Sequence, residues 1–219
     1  MRGIKLTKKD GTTKNGMLWR AGQTNEATGD GVELCTPGVL HFYDSLPLSL
    51  FMNPVHANYN PHRVFEVEGE YVATDGLKSG AKKLSVIREI TDWTEPTTIQ
   101  KVAFGILCAK EVCEEKGWNT WADKWLSGED RSRATAEAAR EAAWVRSSPE
   151  AWAWAAEWEA AGAWAEAAEW EAAREAAKAA KAGWAQAAAW AAERAAQAAW
   201  AARAKIDFVA LAAAAMGVR

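Results

Sequence analysis

Three histidines, His41, His56 and His62, are the side chains of this sequence best able to ligate a metal or move a proton near neutral pH. His41 stands inside a strand-like run, where an imidazole is more often packed or hydrogen-bonded than ligating, while His56 and His62 fall in the Asn- and Pro-rich stretch 53–63. A three-His metal centre needs a convergence that this spacing does not impose, so no metal ligand and no cofactor is expected. The stretch 53–63 is the longest irregular segment, and loops of that kind carry function more often than strands do. His41 and Tyr43 are carried forward as candidate ligand- or partner-binding residues. The three cysteines, Cys35, Cys108 and Cys113, follow no disulfide framework and read as small hydrophobes in a reducing compartment. No Walker A loop, dinucleotide glycine fingerprint, G-x-S-x-G elbow or HExxH helix occurs, which weighs against an enzyme and leaves no catalytic residue to assign.

A second constellation lies far along the chain. On a continuous helix, with Trp170 as reference, Arg174 projects at about 40°, Lys178 at about 80°, Lys181 at about 20° and Trp184 at about −40°. Such a basic and aromatic ridge could stack a base and pair a phosphate, or grip an acidic partner. Read as a solvated face, the same ridge forms i,i+3 ion pairs, Glu171 with Arg174 and Glu175 with Lys178, and this second reading is favoured because the two acids neutralise the field.

The elements that must position these groups change character twice. Residues 1–92 read as a small, mainly antiparallel sheet domain. Ile4–Thr7, Gly16–Arg20, Val32–Cys35, Val39–Tyr43, Arg63–Glu68, Tyr71–Thr74 and Lys83–Ile90 are rich in β-branched or aromatic residues, and turn pairs such as Asn15-Gly16 and Asp75-Gly76 punctuate them. A short helix, Ser45–Met52, crosses it. Residues 93–128 read as connecting helices, one from Thr97 or Thr98 to about Glu115 and ended by Gly117, the other from Asn119 to Leu126. Residues 129–219 read as an all-α bundle of four helices: Asp130–Val145, about Pro149–Lys181, Trp184–Lys205, and Phe208–Met216 started by Asp207. The fold class is therefore α+β.

From Arg131 onward there are 41 alanines and nine of the 14 tryptophans. Alanine is the best helix former but too small to build an ordinary core, so indoles are expected to supply most of the contact. Trp158, Trp164 and Trp170, six apart, point to three sides of a helix, which excludes a single-stripe coiled coil. A net charge of −3 carries no basic excess, so nucleic acid is not the expected partner. No apolar leader begins the chain, and no uncharged run approaches the ~20 residues that span a bilayer. A cytoplasmic protein is expected.

The segment GVELCTPGVLHFYDSLPLSLFMNP, followed by RVFEVEGEYVATDGLKSGAKKLSVIREI, resembles a small uncharacterised domain common in bacteriophage and prophage proteins. Matching positions run in order through Gly22, Val32, Leu34, Cys35, Gly38, His41, Phe42, Pro47, Leu48 and Phe51 to Arg63, Val64, Glu66, Val67, Glu68, Lys83, Leu84, Val86 and Ile90. Val39-Leu40 stand where that domain has a single residue before its histidine. The resemblance covers residues 16–90 and implies a phage accessory protein working in the cytoplasm of the bacterial host; it brings no activity with it. The glycine, the HFY strand, the short helix and the returning RVFEVE strand also resemble the core of ADP-ribosyltransferase-type folds, for which Glu66 and Glu68 would be the acidic candidates.

The leading functional expectation is a non-enzymatic accessory protein that binds and inhibits a host protein, such as an antiviral defence component, through Trp-studded helices. Sequestration of a nucleotide signal between Trp and Arg is the alternative, and ADP-ribosyl transfer a third. Self-association through the helical region is a further way to cover the indoles.

Overall fold

The computed structural model describes residues 1–146, 171–181, 185–201 and 205–219. The chain divides into two compact units, Met1–Glu95 and Pro96–Arg219, so the helices of residues 96–128 fall within the second. The α+β class is as expected, with an antiparallel sheet in the first unit and helices in the second.

The sheet of the first unit has five strands: β1 (Arg2–Lys8), β2 (Thr24–Glu26), β3 (Leu40–Phe42), β4 (His62–Thr74) and β5 (Ser79–Ile90). Their order is β1-β4-β5-β2, with β3 also on β5, and every pairing is antiparallel. The long β4–β5 hairpin reverses at the expected Asp75-Gly76 pair, where Gly76 has φ +85° and Asp75 Oδ1 accepts from the backbone N–H groups of Leu77 and Lys78. β3 and β2 share the other edge of β5, at Ser79–Ala81 and Lys83–Ser85. The sheet then bends until Ile4 of β1 exchanges both backbone hydrogen bonds with Tyr43, just past β3, at 2.7 and 2.8 Å. At that level β1, β4, β5 and β3 form a closed ring. A Cβ on Gly3 would lie 2.3 Å from Phe42 Cδ2, so the seam closes because glycine stands there. Trp19, Leu40, Phe42, Phe65, Val67, Ala81, Leu84 and Val86 fill the core.

Several expected elements differ. Gly16–Arg20 forms only one isolated bridge, Thr12 to Leu18, and Val32–Cys35 is turn rather than strand. Within the second segment the Cys35 N–H donates to His41 Nε2 and the Glu33 carbonyl accepts from Thr36 Oγ1, while Lys82 Nζ donates to the carbonyls of Gly29 and Gly31 just before it. Arg63–Glu68 and Tyr71–Thr74 are one strand, because Gly69 marks an irregularity in the ladder and lets the Lys83 carbonyl approach a site 2.3 Å from where a Cβ would be. β2 was not expected: Thr-Asn-Glu has little strand propensity and is recruited by β5. The short helix α1 (Leu46–His56) begins at its Ser45 cap but runs on through Pro54, where Asn53 exchanges hydrogen bonds with the backbone of Tyr59. His56 is therefore helical.

The second unit comprises α2 (Thr98–Lys110), α3 (Lys116–Ser127), α4 (Arg133–Arg146), α5 (171–181), α6 (Ala185–Ala201) and α7 (Phe208–Met216). A capping box of Thr97 and Gln100 starts α2, and the Asp207 carboxylate starts α7. α2 ends at Lys110 rather than Glu115. Gly117 does not terminate it, since the Glu115 carboxylate accepts from Trp118 N–H and begins α3 two residues earlier. α2 packs against α3, α6 and α7, and Val102 to Ile106 are all buried, so more than one stripe of it is covered. Gly105 permits the close approach of α6: a Cβ there would lie 2.8 Å from Ala188 Cα.

The expectation that indoles dominate the packing after Arg131 falls, for every tryptophan there but Trp190, outside the residues whose burial is described. Trp118, Trp121 and Trp125 are buried, and Trp118 Nε1 donates to the Ala173 carbonyl at 3.2 Å. α5 and α6, however, bury chiefly alanines, Trp190 is 40% exposed, and Val102, Phe104, Ile106 and Phe208 supply larger apolar groups. The expectations for Trp158, Trp164, Trp170 and Trp184, and for the helix before residue 171, lie outside the described residues. Among the described residues no helix is long and apolar enough to cross a membrane.

Candidate functional site

The ridge on α5 is neutralised where it is described. Arg174 pairs with Glu171 and, at 3.3 Å, with Glu175; Lys178 pairs with Glu175 at 3.3 Å, and Lys181 pairs with Glu137 of α4. Each of these cations meets a carboxylate, which leaves little field to attract an anion.

His41 and Tyr43 stand elsewhere, in a cleft of the first unit of about 440 Å³ at the seam between β1 and β3. β3 places His41 opposite Gly80, and the Ile4 bridge places Tyr43. The carboxyl end of α1 brings His56 alongside, so that its ring stacks on Tyr43 at 5.8 Å with planes 15° apart, and Tyr43 Oη lies 3.3 Å from His56 Nδ1. His62, by contrast, stacks on Trp93 at 4.8 Å, with Nδ1 3.2 Å from the Tyr59 carbonyl. The three histidines do not converge, and among the described residues no cluster of His, Cys, Asp or Glu is arranged to hold a metal.

Three lysines complete the cleft. Lys5, mid-strand in β1, is half-buried; its Nζ donates to the His41 carbonyl at 2.6 Å and lies 4.7 Å from the centroid of the Trp19 ring. Burial lowers its pKa from 10.5 to about 8. Lys14 is held at the rim, where its backbone N–H donates to Tyr59 Oη at 2.8 Å and its Nζ to the His56 carbonyl at 3.2 Å. Lys78 comes from the β4–β5 turn and pairs with Asp75 at 2.7 Å.

His41 Nε2 accepts the backbone N–H of Cys35 at 2.9 Å, so the proton of the neutral ring sits on Nδ1. Cys35 adopts φ +64° to present that N–H. Burial, and then the positive charges of Lys5 and Lys78, push the His41 pKa down to about 4, so the ring is uncharged at neutral pH.

No Asp or Glu lines this cleft, whereas the chain as a whole is acidic. Lysine ammonium groups, a phenol hydroxyl and a stacked ring pair suit an anion that carries a planar group. Glu66, one candidate for ADP-ribosyl transfer, is bonded to Arg88 at 2.7 Å and Arg2 at 3.5 Å, and neither it nor Glu68 lines the cleft.

Sequence reasoning brought His41 and Tyr43 to this site and marked the segment holding His56, but missed Lys5, Lys14 and Lys78. Lys5 alternates with Ile4 and Leu6, a pattern that reads as a solvent-facing strand position; only its isolation as a charge within that apolar run could have drawn notice. Comparison of the chain with protein-family models, with curated proteins and with solved structures finds no match.

Proposed function

We propose that this chain is a binding protein without catalytic activity, which takes up an anionic small molecule of nucleotide type in the cleft of its first unit and acts by sequestering it. The observation that carries this reading is the cleft's lining: three lysines and two histidines, no carboxylate, and the stacked Tyr43–His56 pair beside them. Phosphate groups would take the lysines and the Lys14 rim, and a base would lie against the aromatic pair. The setting, a phage accessory protein in the host cytoplasm, rests on the resemblance over residues 16–90; removal of a signal used in antiviral defence is the role we propose for it there.

Inhibition by capture of a host protein on Trp-studded helices is the second reading, and it draws on Trp190, which is exposed on α6.

Thermal shifts of the full chain against cyclic and linear nucleotides test the proposal. A ligand at 100 times its Kd should stabilise by about 2.7 kcal/mol, and Lys14→Ala and Lys78→Ala should each reduce the effect. If neither nucleotides nor inorganic pyrophosphate raise the melting temperature, the proposal fails.

A further inference from the structure

We infer that Lys5 is a covalent capture residue: its amine condenses with the carbonyl of an aldehyde that also bears an anionic group and holds that ligand in the cleft as an imine. The inference rests on the reading of the cleft as an anion site and adds to it a class of ligand.

Lys5 differs from the lysines that face carboxylates. Lys78 has Asp75, Lys83 has Glu26, Lys110 has Asp123, and Lys124 has Glu129. Among the described residues Lys5 meets no carboxylate; its partners are one carbonyl and one indole face. A carbonyl can accept an N–H from the neutral amine as well as from the ammonium, so proton loss leaves Lys5 anchored with a lone pair free to attack. Burial acts in the same direction. With a pKa of about 8, roughly a quarter of the amine is unprotonated near pH 7.5, against about 0.1% for an ordinary lysine.

The remaining groups of the cleft supply the other half of the recognition. Lys14 lines the same space and can hold a phosphate or carboxylate while the aldehyde carbon meets Lys5; Lys78 lines it too, already paired with Asp75. Condensation forms a carbon–nitrogen double bond and breaks the carbon–oxygen double bond. The oxygen leaves as water with both amine hydrogens, and nothing is oxidised or reduced.

Pyridoxal 5′-phosphate, used as a probe on the full chain, combines an aldehyde, a phosphate and a planar ring. Borohydride reduction fixes any imine, and peptide mapping locates it. The adduct should form on Lys5 about two orders of magnitude faster than on an exposed lysine, following the difference in free amine. Pyridoxal, which lacks the phosphate, should label Lys5 at least about tenfold more slowly, and pyridoxine 5′-phosphate, which lacks the aldehyde, should protect it. Lys5→Arg should abolish the adduct. Lys14→Met, which keeps the amine, should erase the advantage of the phosphate and so tests the inference even if the Lys5 variant folds poorly.

Label spread over surface lysines with no preference for Lys5 overturns the inference. If pyridoxine 5′-phosphate still raises the melting temperature in that case, the anion-cleft reading survives alone; if it does not, both fall.

Discussion

Replacing Lys5 by Met removes the amine but keeps the length and most of the volume of the side chain, which isolates the energetic consequence of burying it. A lysine pKa lowered from 10.5 in the unfolded chain to about 8 in the folded one means that folding is opposed whenever the group is protonated in both states. The penalty is complete below about pH 8 and is relieved as pH rises towards 10.5, where the unfolded chain also loses the proton. At 1.36 kcal/mol per tenfold it amounts to about 3 kcal/mol near pH 6.5 and about 1 kcal/mol near pH 10. That net penalty already contains the charged amine's contact with Trp19, so the variant escapes it and forfeits only the hydrogen bond that the neutral amine makes to the His41 carbonyl, worth about 0.5–1.5 kcal/mol. Lys5→Met should therefore be more stable than the parent near pH 6.5 and close to it near pH 10. The groups around it that also titrate, His41, His56, Lys14, Lys78 and Asp75, are common to both proteins and largely cancel in the difference. Urea unfolding at the two pH values measures that difference, which should change by about 2–3 kcal/mol, or about 1–2 M in midpoint for a unit of this size. A variant-minus-parent difference that stays constant from pH 6.5 to 10 would refute the buried-amine argument and the capture chemistry built on it.

Three further outcomes are expected. His41, whose pKa is depressed from 6.5 to about 4, adds stability that is present above about pH 6.5 and is lost as pH falls towards 4; long-range ¹H–¹⁵N NMR should find its ring neutral, protonated on Nδ1 and not titrating from about pH 5.5 to 8, and a midpoint near 6.5 would contradict its burial. Gly105→Ala should lower the melting temperature by an amount worth about 1–3 kcal/mol, because the clash with Ala188 outweighs the roughly 1 kcal/mol gained in helix propensity; a stabilised variant would mean that α2 and α6 are not in contact. Thr97→Ala should cost about 1 kcal/mol in chemical unfolding and Thr97→Ser very little, since the serine hydroxyl can still accept from Gln100 N–H.

What could be read along the chain was what acts over a few residues. Thr97, one of two candidate starts, and Asp207 cap their helices, and Asp75-Gly76 turns the long hairpin. Each is a short side-chain-to-backbone contact or a glycine conformation, and neither depends on distant partners. The tertiary structure decided the rest. Asn25 and its neighbours become a strand only because β5 offers an open edge, while Val32–Cys35, better suited to a strand, spends the Cys35 N–H on the His41 ring instead of a ladder. The cleft follows the same rule. His41 and Tyr43 were visible as residue types, but Lys5 acquires its chemistry from a carbonyl 36 positions along the chain and an indole that closure of the sheet brings to it. Hydrogen-bond capping is local and so is written in neighbouring letters; burial of a charge depends on which surfaces meet, and that is settled only when the whole sheet closes.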